Sequence, residues 1–380
     1  MERTRHIYAI IQTVMFLLII SGVVVNNTLP FYTPPQILKM EKRIIAPKPV
    51  PDLSFPNPYP ANYSRFFEDR FPFRTDLISL YAGKIGLGLF RQSPYPNLVA
   101  IGWDGYFFLM KEKPFYDGSF PMDEAHVKQA AAEIHNHALF FHRQGIPFYL
   151  AIPPMKQDIY PEFLPSVYIH ATSSTPTEKI IELLRDDPLI RFVDLKSALL
   201  KAKQAGNLYY KTDNHWNFRG GYYGYRAILE RIKRDFPILV PLDTTDFTLK
   251  DTVVPGKNLA EIMNIRDYTQ EVDPVPHLKH KRSVAGKQRG YKPRPGFSYP
   301  TEFEIVRQVN DPALPKIVIV RDSYFYGLMP YIVENFRTTL VLYDTRRYDT
   351  FEDIMKKEKP DLVLYMIYEP QFQYLAGLHR

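Results

Sequence analysis

Tyr209-Tyr210-Lys211-Thr212-Asp213-Asn214-His215-Trp216 places a carboxylate and an imidazole two residues apart. Its counterpart is Ile319-Val320-Arg321-Asp322-Ser323-Tyr324, where a serine follows a β-branched apolar run at the point a strand hands over to a helix. A serine hydroxyl is a poor nucleophile unless a base stands within hydrogen-bond reach and a carboxylate orients that base. Ser323, His215 and Asp213 supply those three roles in order, as in a serine esterase or acyltransferase. The N–H groups opening the helix after Ser323 would contribute to an oxyanion hole. Asp322, beside the serine rather than the histidine, reads as a turn or cap residue.

Working outward, apolar strands alternate with helices. Ile146–Ile152 reads as a strand ending in the Pro153-Pro154-Met155-Lys156 corner, and Ile190–Leu195 as the next. Helical periodicity covers Pro121–Gln144 with Gly145 as its stop, then Thr177–Arg185, Lys196–Gln204, Phe218–Arg234 and the short Asn258–Met263. The carboxyl-terminal part reads as strand Lys316–Val320, helix Phe325–Asn335, strand Thr338–Tyr343, helix Phe351–Lys357 and strand Asp361–Ile367. Val99–Leu109 reads as a hairpin turning at Asp104-Gly105, and Tyr63–Phe73 and Leu77–Phe90 as short helical pieces around Pro72. This alternation predicts an α/β fold with a parallel sheet and helices on both faces. Ligands of such sheets sit beyond the carboxyl ends of the strands, where the Lys156 corner, the Asp213 stretch and the Ser323 stretch all fall.

The amino-terminal region describes an export route. Arg3 and Arg5 precede an apolar run from Ile7 to Val25, close to a bilayer's hydrocarbon thickness. The basic flank puts residues 1–6 in the cytoplasm and makes 7–25 a transmembrane anchor. A cleaved signal peptide is the rival, disfavoured because Val23-Val24-Val25-Asn26-Asn27 lacks the small residues of a cleavage site. Residues 26–61 form a proline-rich spacer, and 62–380 form the extracytoplasmic domain. Within that domain, 267–299 reads as an irregular basic insertion, carrying Lys279, Lys281, Arg282, Lys287, Arg289, Lys292 and Arg294. It is either a solvated loop or a track for an anionic glycan or a membrane surface.

Composition excludes several chemistries. There is no cysteine among 380 residues, hence no disulfide, thiolate nucleophile or cysteine-ligated zinc. A net charge of +7 favours anionic partners, and no nucleic-acid module is recognisable. Aromatic residues make up 14%, which suits sugar-facing surfaces and packed cores alike. Metal binding is the rival chemistry for Asp213, His215 and Asp322, but no further motif completes a hydrolase site. His135, His137 and His142 read as a solvated helix face. The expected site needs no metal and no soluble cofactor.

The Thr-Asp-x-His-Trp stretch and Arg321-Asp322-Ser323 resemble the SGNH hydrolase-like family of alginate O-acetyltransferase proteins (AlgJ/AlgX type) and the related bacterial DHHW proteins. Phe71-Pro72-Phe73-Arg74, the Gly102–Phe108 hairpin, Pro154-x-Lys156 with Tyr160-Pro161, and Asn258-Leu259-Ala260 add to the likeness. The resemblance implies an SGNH-hydrolase-like (flavodoxin-like) domain. It implies acetyl transfer onto exopolysaccharide hydroxyls outside the cytoplasmic membrane, with a multi-spanning membrane acyltransferase passing the acetyl group across. It makes Asp213, His215 and Ser323 the triad, and Lys156, Tyr160, Arg321 and Tyr324 candidates for the substrate-binding wall. Two positions depart from the family pattern. Arg321 stands where many members have Gly, to narrow the oxyanion corner or bind an anionic substrate, and Asn258 stands where an acidic residue is usual. The chain ends at Arg380 without the carbohydrate-binding module some members carry. The alternative is a catalytically idle glycan-binding or scaffold subunit of a polysaccharide modification or export complex.

Overall fold

The computed structural model describes residues 2–29, 46–51, 57–71, 74–168, 171, 173–293, 295, 297, 299–343 and 351–378. Two compact units divide the chain: Met1–Pro96 with Ala260–Thr269, and Asn97–Leu259 with Gln270–Arg380. The first unit begins with helix Glu2–Thr28, whose 22-residue Arg5–Asn26 stretch is long and apolar enough to cross a membrane. Most of the proline-rich spacer (30–45 and 52–56) lies outside the described residues, as do Pro72 and Phe73. Helix Tyr59–Asp69 follows, starting earlier than the sequence pattern suggests because Pro60 is tolerated in a first helical turn. Helices Arg74–Leu80 and Tyr81–Leu89 follow, and the short helical turn Arg266–Tyr268 belongs to the same unit.

Among the described residues, the second unit holds eleven strands. In chain order they are β1 (Val99–Ile101), β2 (Phe107–Leu109), β3 (Phe148–Ala151), β4 (Ile190–Val193), β5 (Phe247–Pro255), β6 (Gln270–Leu278), β7 (Val284–Ala285), β8 (Glu304–Gln308), β9 (Lys316–Val320), β10 (Thr338–Leu342) and β11 (Leu362–Met366). The central sheet has seven strands in the order β4-β3-β11-β9-β10-β8-β7. Its first five run parallel, as the βα alternation predicts, while β8 and β7 add an antiparallel edge. β1 and β2 form the expected hairpin, and Asp104 and Gly105 take φ of 52° and 76° in its turn.

Successive side chains of a strand point to opposite faces, and both faces here are apolar. Tyr149, Ile317, Ile319 and Leu364 pack on one side against helices Leu195–Ala202, Phe218–Lys233 and Phe325–Ile332. Phe148, Leu150, Val318 and Leu340 pack on the other against Glu124–His142, Pro176–Arg185 and Phe372–Leu375. Each large apolar side chain so buried contributes about 2 kcal/mol, which is what commits these runs to a doubly covered sheet.

One segment departs from its sequence reading. The 267–299 stretch is not irregular throughout: Gln270–Leu278 pairs over nine residues with Phe247–Pro255 as a separate two-stranded ribbon. Pro274 and Pro276 obscure it in the sequence, yet a strand paired on a single side tolerates residues without an N–H. Its basic residues are also partly answered, Arg282 by Asp311 at 3.0 Å and Arg289 by Glu358 at 3.4 Å, while Arg294 lies outside the described residues.

The glycines opening the Phe218–Lys233 helix, unfavourable by propensity, are explained by close packing. A Cβ on Gly221 would meet Gly327 O at 2.0 Å, and one on Gly220 would meet Leu208 O at 2.2 Å. Gly327 in turn lies where a Cβ would strike the Trp216 ring at 2.5 Å. Backbone cannot yield as a side-chain tip can. Gly221→Ala should therefore destabilise the protein by about 3 kcal/mol, measured as a fall of several degrees in Tm. An unchanged Tm would contradict this packing.

Candidate active site

The Asp213 loop lies between Leu208 and helix Phe218–Lys233, whose first N–H groups are capped by the Asn217 side chain at 2.9 and 3.0 Å. A Tyr209–Trp216 bridge closes it, so the intervening residues must turn tightly. Asp213 Oδ1 accepts both the backbone N–H of His215, at 3.1 Å, and its ring Nδ1, at 2.7 Å. This gives the Asp-x-His spacing its physical reason: one carboxylate oxygen shapes the turn and fixes the imidazole. With Nδ1 engaged as a donor, Nε2 is left as the acceptor. It lies 2.7 Å from Ser323 Oγ, 108 residues further along the chain.

Ser323 stands just past β9, before helix Phe325–Ile332, where the parallel strands end. Ser323 and His215 keep partial solvent exposure, whereas Asp213 is buried. Burial opposes the Asp213 charge, but His215 beside it and the backbone N–H hold its carboxyl below the usual range. Burial likewise opposes a charged imidazole at His215, yet the neighbouring Asp213 carboxylate outweighs it and raises the pKa.

The helix after Ser323 differs from the expected oxyanion hole. The Tyr324 N–H donates to Asp322 Oδ1 at 2.9 Å, and those of Phe325 and Tyr326 donate to the carbonyls of Asp322 and Ser323. Asp322 acts as the turn residue its position suggests, since Oδ2 also accepts the Tyr368 N–H at 2.6 Å. Burial pushes its carboxyl up to about 6. Beside the serine stand its own N–H and the hydroxyl of Tyr343, which interacts with the Ser323 side chain.

None of the four wall candidates faces outward; each is at most 3% exposed. Lys156 Nζ donates to the carbonyls of Tyr210, Lys211 and Asp213 at 3.1, 3.1 and 2.6 Å. Burial, partly offset by Asp213, lowers its pKa to about 8. The Tyr160 hydroxyl accepts the Leu208 N–H at 2.9 Å. Tyr324 packs its ring 4.8 Å from His215 and donates to Asn214 O at 3.0 Å. Arg321 lies beneath the Ser323 turn, its guanidinium carbon 3.8 Å from the Tyr343 ring centroid and its Nη2 donating to Glu302 O at 3.0 Å. A tight loop with buried carbonyls needs internal donors, and Lys156 and Tyr324 meet that need, while Tyr160 accepts an N–H at the loop's start and Arg321 serves Glu302. Asn258 is a further donor to the loop, its N–H lying 3.4 Å from Asp213 Oδ2. A backbone donor there favours the Asp213 charge, which a nearby acidic side chain would oppose.

Sequence reasoning misses the supports from distant elements. Glu271 Oε2 on β6 accepts both the N–H and the hydroxyl of Thr212 at 2.7 Å, and Asp273 accepts the Tyr210 hydroxyl at 2.6 Å. Glu112 accepts Asn214 Nδ2 at 3.2 Å and also the Tyr368 hydroxyl. Burial raises the Glu112 carboxyl to about 7. The alternation of acids at 271 and 273 is the one trace of these contacts in the sequence. No group of three or more His, Cys, Asp or Glu side chains suited to a metal occurs among the described residues. His135 instead pairs with Asp187 at 2.6 Å.

A mostly parallel sheet with helices on both faces and a Ser–His–Asp cluster at its carboxyl edge defines an SGNH-like α/β domain. The family described as "SGNH hydrolase-like domain, acetyltransferase AlgX" matches residues 99–292, just over half of the 380. The chain therefore belongs to this family of SGNH hydrolase-like acetyltransferase domains. The matched span includes Asp213 and His215 and ends before Ser323. No curated protein matches. Among solved structures, Bacillus cereus PatB1 is 18% identical with a TM-score of 0.53, over 71% of this chain and 95% of that one. PatB1 with a sulfonyl adduct is 18% identical at a TM-score of 0.51, over 71% and 94%. The O-acetyltransferase domain of Pseudomonas putida AlgJ is 17% identical at 0.50, over 74% and 98%. At these identities the likeness carries the fold.

The charged Asp213–His215 pair has a defined pH signature. The part of its stabilisation due to the raised His215 is complete below the unfolded imidazole value of about 6.5 and fades as pH rises through the higher folded value, while the part due to the lowered Asp213 is lost as pH falls through its folded value. In Asp213→Asn the burial penalty loses its strongest opponent, and only Asp322 and Glu112 still oppose it. The His215 pKa, followed by NMR of the imidazole carbons, should then fall below about 6.5. A value unchanged from wild type would contradict the pairing.

Proposed function

We propose that the protein is a membrane-anchored, extracytoplasmic O-acetyltransferase that modifies hydroxyls of a cell-surface polysaccharide through Ser323, His215 and Asp213. The observation that carries this reading is the 2.7 Å contact of His215 Nε2 with Ser323 Oγ, with Asp213 2.7 Å from Nδ1. Family membership supports the acetyl-transfer chemistry, and the apolar Arg5–Asn26 helix supports the anchor.

Ser323 Oγ attacks the carbonyl carbon of the donor's acyl group while His215 Nε2 takes the hydroxyl proton. Asp213 stabilises the imidazolium so formed. The Tyr343 hydroxyl and the Ser323 N–H are the donors available to the developing oxyanion. The carbonyl–leaving-group bond then breaks, and the leaving group receives the proton from His215. A sugar hydroxyl next gives its proton to His215 and attacks the acyl-serine carbonyl; the bond to Ser323 Oγ breaks, His215 returns the proton to that oxygen, and the O-acyl sugar is released. A multi-spanning membrane-bound acyltransferase is the proposed donor partner.

The test uses the full-length protein in detergent, an aryl acetate as donor and oligosaccharides as acceptors. Ser323→Ala should lower transfer at least about a thousandfold while the circular dichroism spectrum is kept. The base must be neutral, so activity should rise with pH through the raised His215 pKa. Transfer that survives Ser323→Ala would overturn the reading.

A further inference from the structure

Helices Arg74–Leu80 and Tyr81–Leu89 form one continuous rod, because Leu80 joins them with helical φ and ψ of −61° and −48°. The rod turns its small residues inward. Ala82 is buried, and Gly83 lies so close to Tyr268, in the same compact unit, that a Cβ would meet that ring at 2.2 Å. Its large apolar residues face outward. Leu77, Leu80, Tyr81, Ile85 and Leu89, with Phe90 just past the end, are between 38 and 68% exposed.

The spacing of four from Leu77 through Tyr81 and Ile85 to Leu89 sets these side chains in one stripe along the rod. An ordinary surface helix buries its large apolar residues and shows its polar ones to water. Here that arrangement is reversed. A contiguous apolar stripe left outside marks a surface made for an apolar partner.

The residues around the stripe say which partner. From 74 to 91 the cations are Arg74, Lys84 and Arg91, and the one acid is Asp76. Lys84 and Arg91 are exposed. Leucine and aromatic side chains beside lysine and arginine suit a helix lying in a bilayer interface: the apolar groups enter the acyl boundary while the cations stay at anionic headgroups. The same unit carries the Arg5–Asn26 helix, long and apolar enough to cross a membrane.

We infer that the Arg74–Leu89 rod lies in the interface of an anionic phospholipid bilayer, with Leu77, Tyr81, Ile85 and Leu89 in the acyl boundary and Lys84 and Arg91 at the headgroup phosphates. It is a second membrane contact besides the apolar helix. It rests on the anchor part of the proposed function and not on the acetyl-transfer part.

The chain has no cysteine, so a single introduced one carries a nitroxide label without competition. The full-length protein, one copy per nanodisc containing phosphatidylglycerol, is labelled in turn at Leu80→Cys, Leu89→Cys, Leu17→Cys and Lys250→Cys, the last an exposed site on β5. Power saturation reads the collisions of each label with oxygen, which concentrates in hydrocarbon, and with a nickel chelate confined to water. The oxygen-to-nickel ratio at Leu80 and Leu89 should exceed that at Lys250 at least about fivefold. Adding Leu77→Asp with Tyr81→Asp should return the Leu89 label to the Lys250 value. Ratios at Leu80 and Leu89 equal to that at Lys250, with Leu17 in hydrocarbon, would overturn the inference and leave the anchor reading standing. Labels at Leu80 and Leu89 shielded from both reagents would overturn it as well, because protein then covers the stripe. A Leu17 label in water would overturn the anchor reading and the inference with it.

Discussion

Two hydrogen bonds hold the halves of the site in register. Trp216 Nε1 donates to the Tyr324 carbonyl at 2.7 Å, and the Tyr324 hydroxyl donates back to the Asn214 carbonyl at 3.0 Å. They tie both neighbours of His215 to Tyr324, the residue after Ser323, and so hold the 2.7 Å contact between His215 and Ser323 in place. All four groups are buried, and in a low-dielectric interior a misaligned pair would leave polar atoms unsatisfied. That penalty makes the arrangement all-or-none. Close packing of Gly221 against Gly327 serves the same end, because it seats the helix after Ser323 directly on the helix after Trp216.

Around these two bonds the protein spends charged residues on backbone. Lys156 gathers three carbonyls of the Asp213 loop, and Glu271 gathers the Thr212 N–H and hydroxyl. Glu112 braces Asn214 from the opposite side. A loop so short cannot satisfy its own polar groups in a helix or ladder, so partners must come from elsewhere in the fold. The outcome is a preorganised carboxylate and imidazole with little freedom to reorient. Such preorganisation is what an acyl-transfer site requires.

The fold was legible in the sequence because its signal is local. Runs such as Lys316–Val320 and Thr338–Tyr343 are apolar on both faces, and that alone requires a covered parallel sheet. That Asp213, His215 and Ser323 would meet was legible because the chemistry demands those residue types together, yet of the three only Ser323 follows a sheet strand, Asp213 and His215 lying in the loop beyond helix Leu195–Ala202. The roles of Lys156, Tyr160, Arg321 and Tyr324 were not legible. A cation or phenol near a motif looks the same in sequence whether it faces substrate or a buried carbonyl, and only the tertiary fold decides. The β5–β6 ribbon was hidden by Pro274 and Pro276, and with it went the bracing acids Glu271 and Asp273. Glu112 and Tyr343 carry no local pattern at all, since each meets the site through contacts far apart in the chain.

The central claim is that Ser323 is a nucleophile activated by His215. Its most direct test is intact-mass spectrometry of the full-length protein quenched early in its reaction with an activated acetyl ester, followed by peptide mapping. The account predicts the added mass of one acetyl group on the peptide containing Ser323, and its loss when His215 is replaced by alanine. An acetyl group found on another residue, or one that forms as fast without His215, would contradict it.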